Sequence, residues 1–432
     1  MISARPGAAA DGDVDVGGLA DETRTPPASL YVHVPFCVSI CPYCDFVVYA
    51  GAAARGPRNR VDTFVDALAA EIELRADALD ATFGAPTAPG GLRPPLATVY
   101  VGGGTPSLLP AETIARLIEL IRMRFGIAGE AEMTLEANPG PDERGDASAL
   151  ARAGIGRLSI GAQSLDDIEL RRLGRRHRAD DVGDTVAAAR EAGIGSISLD
   201  LLYDVPGGSL ETWEASLDGA LALRPDHLSL YALTLDDPDA EGLTGPTGDH
   251  LPTTSGARRW RVAARNDQDD DVAADQYQHA VDQLGANGWR GYEISNWARP
   301  GHESRHNQAY WERRPYEAVG PGAHAFDGRT RRWNGARLDA YVAALTPMSG
   351  VRRTIPPGGS EALDAETAAA ETAVLALRTD RGVPLAAAHT PPLDDAFGWA
   401  LAAELLDVTP DDRVVLTTRG RLLSNELFAR LV

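Results

Sequence analysis

Between residues 30 and 231 the chain alternates short apolar runs with longer amphipathic ones, and no other feature constrains the fold as tightly. Strands are expected at 30–34, 97–101, 133–136, 158–161, 197–202 and 227–231. Helices are expected between them at 61–79, 111–125, 142–153, 180–192 and 210–223. A strand followed by a helix and another strand forms a right-handed crossover, so the strands align in parallel. Six such units are too few to close an eight-stranded barrel. The expected fold is therefore α/β, a partial (β/α)6 barrel that stays open.

The flanking segments differ in composition. Residues 1–28 are rich in Ala, Gly and Asp and lack a basic start and an apolar core, so a disordered tail is expected, not a signal peptide. The barrel is assigned to 29–235, with a Pro- and Gly-rich surface insertion at 84–95. Residues 236–272, ending in Asp269-Asp270-Asp271, read as an irregular acidic insertion. Residues 273–345 extend the barrel region. Residues 346–432 form a small α+β domain whose strand, Arg419-Gly420 turn and final helix suit a winged-helix-like unit.

The chain of 432 residues carries 62 acidic and 41 basic side chains, a net charge of −21. That balance argues against nucleic acid, which selects a basic footprint, and against direct attraction to anionic lipid. No apolar run is long enough to span a membrane.

All three cysteines fall within eight residues, in Cys37-Val38-Ser39-Ile40-Cys41-Pro42-Tyr43-Cys44. A disulfide framework calls for an even number of cysteines and an oxidising compartment. Zinc calls for four ligands, which His33 or Asp45 would have to complete. Three thiolates on one loop instead suit a [4Fe–4S] cluster with one iron left open for a small molecule. Ferredoxin-type clusters use four cysteines. An oxygen-sensitive cluster of this kind points to a reducing cytoplasm.

The Cys-x3-Cys-x2-Cys spacing after a strand, with an aromatic before the last cysteine, resembles the radical S-adenosylmethionine (SAM) superfamily. The wider run from Tyr31-Val32-His33-Val34-Pro35-Phe36 to Cys44-Asp45-Phe46 resembles the group that contains oxygen-independent coproporphyrinogen dehydrogenase and the HemW-type haem chaperones. The specific motifs cover 29–345, and the likeness weakens toward Leu422-Leu423-Ser424-Asn425. The resemblance implies that Cys37, Cys41 and Cys44 hold the cluster and that its open iron chelates SAM. It also implies SAM contacts from Tyr31, Tyr43, Gly103, Gly104, Thr105, Glu136, Gln163, Arg175, Asp200 and Ala232. Read alone, most of these are polar residues near strand ends, where α/β barrels place their functional side chains.

Two departures separate the members of this group. The dehydrogenase has a further cysteine two positions after the third cluster ligand, where this chain has Phe46. It also has an N-terminal extension shaping its substrate site, where this chain has the 1–28 tail. Downstream, His306-Asn307-Gln308-Ala309-Tyr310-Trp311 resembles the chaperones' proposed haem motif. A neutral imidazole is a common axial ligand of haem iron. His306 is thus the first candidate, and His324 in Gly320-Pro321-Gly322-Ala323-His324 the second.

The expectation is a haem chaperone that carries a SAM-ligated [4Fe–4S] cluster and delivers haem to respiratory haemoproteins. Association with a membrane through a partner and homodimerisation accompany this reading. Radical decarboxylation of coproporphyrinogen III is the alternative, disfavoured by Phe46, and another radical SAM enzyme is the second. No catalytic residue is assigned.

Overall fold

A computed structural model describes residues 25–51, 60–86, 92–235, 241–346, 351–389 and 393–431. Residues 1–24 of the expected tail, 87–91 of the surface insertion and 236–240 of the acidic insertion lie outside this set.

Six parallel strands stand side by side in chain order: β1 (Ser29–Val34), β2 (Leu96–Gly103), β3 (Ile127–Ala137), β4 (Arg157–Gln163), β5 (Ser196–Tyr203) and β6 (His227–Ala232). Three short strands extend the sheet: β7 (Arg290–Gly291), β8 (Asn296–Ala298) and β9 (Glu317–Val319). The order is β9-β1-β2-β3-β4-β5-β6-β8-β7, with β9 parallel to β1, and β8 antiparallel to both β6 and β7. The sheet has two free edges and is an open α/β barrel. Strands of two or three residues are too short to show any periodicity, so β7 to β9 have no signal of their own in the sequence.

The crossover helices are α1 (Arg60–Phe83), α2 (Ala111–Phe125), α3 (Ala147–Arg152), α4 (Asp167–Arg172), α5 (Ala179–Glu191) and α6 (Leu210–Ala222). α2 turns Ile114, Leu117, Ile118, Ile121 and Phe125 toward the sheet, a helical spacing. Each fully buried aliphatic chain contributes roughly 1.5–3 kcal/mol. Pro110 precedes the helix and Gly126, at φ +70°, ends it. α3 starts five residues later than the expected 142 because the Asp146 carboxylate accepts the Ala149 N–H and sets the cap there.

A charged group deep in the fold ties β9 to α1. Glu71, fully buried, accepts hydrogen bonds from Gly320 N at 2.8 Å, Tyr341 Oη at 2.7 Å and Asn334 Nδ2 at 2.8 Å. Arg75 Nε donates to it at 3.2 Å. A buried carboxylate is tolerable only when satisfied in this way.

Residues 241–272 are more ordered than expected. They carry α7 (Ser255–Arg265), capped by Thr254, a helix with four arginines rather than an acidic face. Asp269 caps α8 (Asp270–Ala286), its side chain accepting from the Asp271 and Val272 N–H groups. The acidic run is thus a helix start, where the dipole favours negative charge.

The C-terminal region has its own core, including Val374, Leu377, Phe397, Leu405, Val414 and Leu427. Its antiparallel sheet joins Val383–Pro384, Arg413–Leu416 and Leu406–Val408 in that order. The expected Arg419-Gly420 turn lies inside a short helix, Thr418–Leu422, which Thr417 caps through the Gly420 N–H.

Candidate functional site

One cavity of about 700 Å³ opens at the carboxyl ends of the strands. Cys37, Cys41, Tyr43, Cys44, Gly103, Gly104, Thr105, Glu136, Gln163, Arg175, Asp200 and Ala232 all line it. The expected residues that do not line it are Tyr31, His306 and His324.

The cysteine loop runs between two short parallel strands, Phe36–Cys37 and Tyr49–Ala50, and turns tightly where Cys44 N–H donates to Cys41 O at 3.0 Å. All three thiols are free. Among the described residues, no three His, Cys, Asp or Glu groups converge closely enough for a single metal ion. The donor set on the cavity wall is three free sulfurs of one loop, which suits an iron–sulfur cluster. Burial pushes the Cys37 thiol up to about 11 and the Cys44 thiol higher still. Such thiols ionise when a bound metal supplies the compensating charge.

Polar side chains hold the loop from behind. The Thr105 hydroxyl donates to Cys37 Sγ at 3.5 Å. Arg175 Nη1 donates to Cys41 Sγ at 3.6 Å, while its Nη2 donates to Gly161 O at 2.9 Å and Asn138 Oδ1 at 2.5 Å. Asn138 Nδ2 in turn donates to Thr105 Oγ1 at 2.9 Å and Glu143 Oε2 at 2.7 Å. From α7, Arg261 Nε donates to Pro42 O at 3.0 Å, and Nη2 to Cys44 O at 3.1 Å and Asp45 Oδ1 at 2.8 Å. Trp260, its neighbour on α7, packs against Tyr43 with ring centroids 6.4 Å apart. Asn138, Glu143 and Arg261 were not among the expected site residues. Apart from the Asn138–Glu143 bond, these contacts span tens to hundreds of residues, which no local pattern carries.

Glu136 ends β3. Its Oε2 accepts the Gly103 N–H at 2.8 Å and its Oε1 the Tyr100 hydroxyl at 2.8 Å. Burial raises its pKa to about 7 against the pull of these two bonds. Asp200, raised by burial, accepts from the Ser159 hydroxyl at 3.0 Å and the Ser198 hydroxyl at 3.3 Å. Gln163 sits at φ +67° where β4 shifts register, a strained backbone at the cavity wall. Gly103, at φ +111°, lies where a Cβ would collide with the His33 ring, and a Cβ on Gly104 would lie 2.7 Å from Phe36 O. The close approach that these glycines permit is to the chain's own β1 and cysteine loop.

Tyr31 lies on β1 but donates its hydroxyl to His33 Nδ1 at 2.9 Å, and it packs on Ala318, Ala323 and Ala325. His306, the first candidate for the haem iron, does not line the cavity. It is 1% exposed on α9 (Arg305–Trp311). Its Nδ1 lies 2.7 Å from Thr98 Oγ1 and its Nε2 2.8 Å from Tyr310 Oη, so both ring nitrogens are taken. Burial lowers its pKa to about 3. The expected pairing of His306 with Tyr310 on one helix face is present, but that face turns toward β2, while Ser304 and Asn307 line the cavity. His324 bonds Asp249 at 2.8 Å and stacks on Trp333.

Residues 31–219 match the Radical SAM superfamily. A heme chaperone HemW of Mycobacterium tuberculosis is 38% identical over 97% of this chain and 98% of its own length. HemW of Bacillus subtilis is 31% identical over 93% and 98%, and that of Escherichia coli 34% identical over 72% and 74%. The structure of the Escherichia coli radical SAM enzyme coproporphyrinogen III oxidase (HemN) superposes with a TM-score of 0.73, covering 94% of this chain and 90% of that one. At 23% identity that likeness is one of fold.

Proposed function

Since this chain belongs to the heme chaperone HemW family of the radical SAM superfamily, we propose that it binds haem and a SAM-ligated [4Fe–4S] cluster and passes haem to acceptor proteins of respiration. The observation that carries this reading is the convergence of three free thiols with Glu136, Gln163, Arg175 and Asp200 on one cavity. Cys37, Cys41 and Cys44 would hold three irons, and the fourth would take SAM. When bound, such a cluster supplies single electrons.

The chain's own groups prepare the cavity. Arg175, Thr105 and Arg261 fix the loop that presents the sulfurs. Glu136 and Asp200, both half-buried acids, offer acceptors suited to an ammonium and a ribose. Gln163 and Ala232 also line the cavity. Phe46 is 58% exposed on the cavity rim and carries no acid, base or thiol, which supports haem handling over porphyrinogen decarboxylation. Among the described residues no helix is long and apolar enough to cross a membrane. The reading places the protein in a reducing compartment, the cytoplasm, where thiols persist.

Anaerobic reconstitution, addition of haem, and transfer to an apo-haemoprotein with and without SAM test the proposal. Transfer without decarboxylation of coproporphyrinogen III is the expected result. Decarboxylation by the reconstituted protein, or no binding of haem at all, would overturn it.

A further inference from the structure

The histidines around the cavity differ in what their ring nitrogens can still do. His306 is closed on both sides, as described above. His227 is closed too, with Nδ1 2.8 Å from Ser198 Oγ and Nε2 2.8 Å from Tyr292 Oη. His250 is different. It lines the cavity, and its Nδ1 lies 3.0 Å from Asp249 Oδ1. A carboxylate only accepts, so the ring proton sits on Nδ1 and the Nε2 lone pair is left for a ligand. Among the described residues nothing bonds that Nε2.

The carboxylate behind the ring is itself fixed. Asp249 Oδ2 lies 2.8 Å from His324 Nε2, and the His324 ring stacks on Trp333 at 6.0 Å and 23°. Despite desolvation, hydrogen bonds from His250 and His324 hold Asp249 below the usual carboxylate range. An imidazole backed by an ionised carboxylate is the arrangement that orients a histidine toward iron and strengthens it as a donor. The loop is braced by a bridge between Thr244 and His250 and by His250 N–H donating to Leu243 O at 3.2 Å.

We propose that His250 is an axial ligand for haem iron, with Asp249 as its positioning carboxylate; this rests on the haem-chaperone reading. Haem brings four nitrogens of its own, so one protein imidazole is enough. A convergent set of three protein donors is unnecessary. Two exposed apolar side chains of the cysteine loop, Ile40 at 46% and Phe46 at 58%, line the same cavity and suit a flat apolar macrocycle. His250 is 8% exposed and lines the open cavity, whereas His306 is 1% exposed and does not.

Full-length protein with its cluster is titrated with hemin, and iron ligation is read by electron paramagnetic resonance and magnetic circular dichroism. Wild type is expected to show an imidazole-ligated haem. His250→Ala loses that signature and binds hemin at least about tenfold more weakly, and added imidazole restores the signature. Asp249→Asn keeps the signature with affinity reduced about tenfold. Cluster iron content and far-ultraviolet circular dichroism equal to wild type show that each variant is folded. An unchanged signature and affinity in His250→Ala overturn the assignment and leave the chaperone reading standing. So does loss that imidazole fails to rescue, or loss confined to His324→Ala. A wild-type protein that binds no hemin overturns both.

Discussion

Replacing Cys37, Cys41 or Cys44 singly by Ser removes one of three sulfurs that the cavity wall offers, and no fourth cysteine exists to substitute. Each variant is expected to lose the roughly 400 nm absorption of a thiolate-bound cluster after reconstitution. A full four-iron cluster in any of them would contradict the three-ligand reading. Glu136 supports a second test. Its pKa is raised from 4.5 to about 7, so its stabilising contribution is fully present below pH 4.5 and is lost as the pH rises through about 7. In the cluster-free protein, Glu136→Gln should therefore gain stability relative to wild type across that window, by an amount on the order of a few kcal/mol at most. Thermal melts at a series of pH values measure it, and a difference independent of pH would refute the buried-acid argument. Gly103 supports a third. A Cβ there meets the His33 ring at a positive φ, so Gly103→Ala should cost about 1–3 kcal/mol in a denaturant titration. The cysteines and strand-end acids were legible as residue types at the right places. The pairing of Glu136 with Gly103 and Tyr100 was not, since it joins β2 to β3 across more than thirty residues.

Among the elements, α7 has the most to add. It was expected as part of an irregular acidic stretch, because the Gly-, Pro- and Asp-rich flanks mask a short basic helix. Its Arg261 reaches back more than 200 residues to Pro42, Cys44 and Asp45 and stitches the cysteine loop to the barrel rim. Hydrogen bonds from a charged donor are worth roughly 1.5–3 kcal/mol each, less whatever water recovers. Arg261→Ala is expected to lower stability by about 3 kcal/mol and to speed release of cluster iron to a chelator. Arg261→Lys should restore only part of this, because an ammonium cannot match the fork's geometry. Iron release at the wild-type rate in Arg261→Ala would show that the loop needs no such strap. The helix α9 teaches the same lesson from the other side. The spacing of His306 and Tyr310 correctly predicted a shared helix face. Spacing does not say which way a face points, and here it points into the sheet.

For the whole molecule, the net charge of −21 is spread over a surface with a large acidic excess, so the folded state works against its own field. Raising ionic strength from near zero to about 0.15 M shortens the screening length to about 8 Å and should raise the melting temperature by a few degrees. A flat response would mean that the ion pairs already compensate the acidity locally. The barrel and the C-terminal region each have a core of their own, but β9 belongs to the sheet beside β1 although almost 300 residues separate them. Closing so long a loop is slow, and it makes the first edge of the sheet dependent on the buried Glu71.

The sequence alone determined the parallel α/β sheet and the three-sulfur loop, because both are written in local order: apolar periodicity within each segment, and ligand spacing within eight residues. It also placed most of the cavity wall, because strand ends in such a barrel converge by topology. Only the tertiary structure decided which histidine faces the cavity, what holds the cysteine loop from behind, and where the short edge strands dock. Those outcomes depend on side chains from distant segments competing for the same space and the same hydrogen-bond partners. Thr98 and Tyr310 occupy both nitrogens of His306, and Asp249 takes only one of His250's.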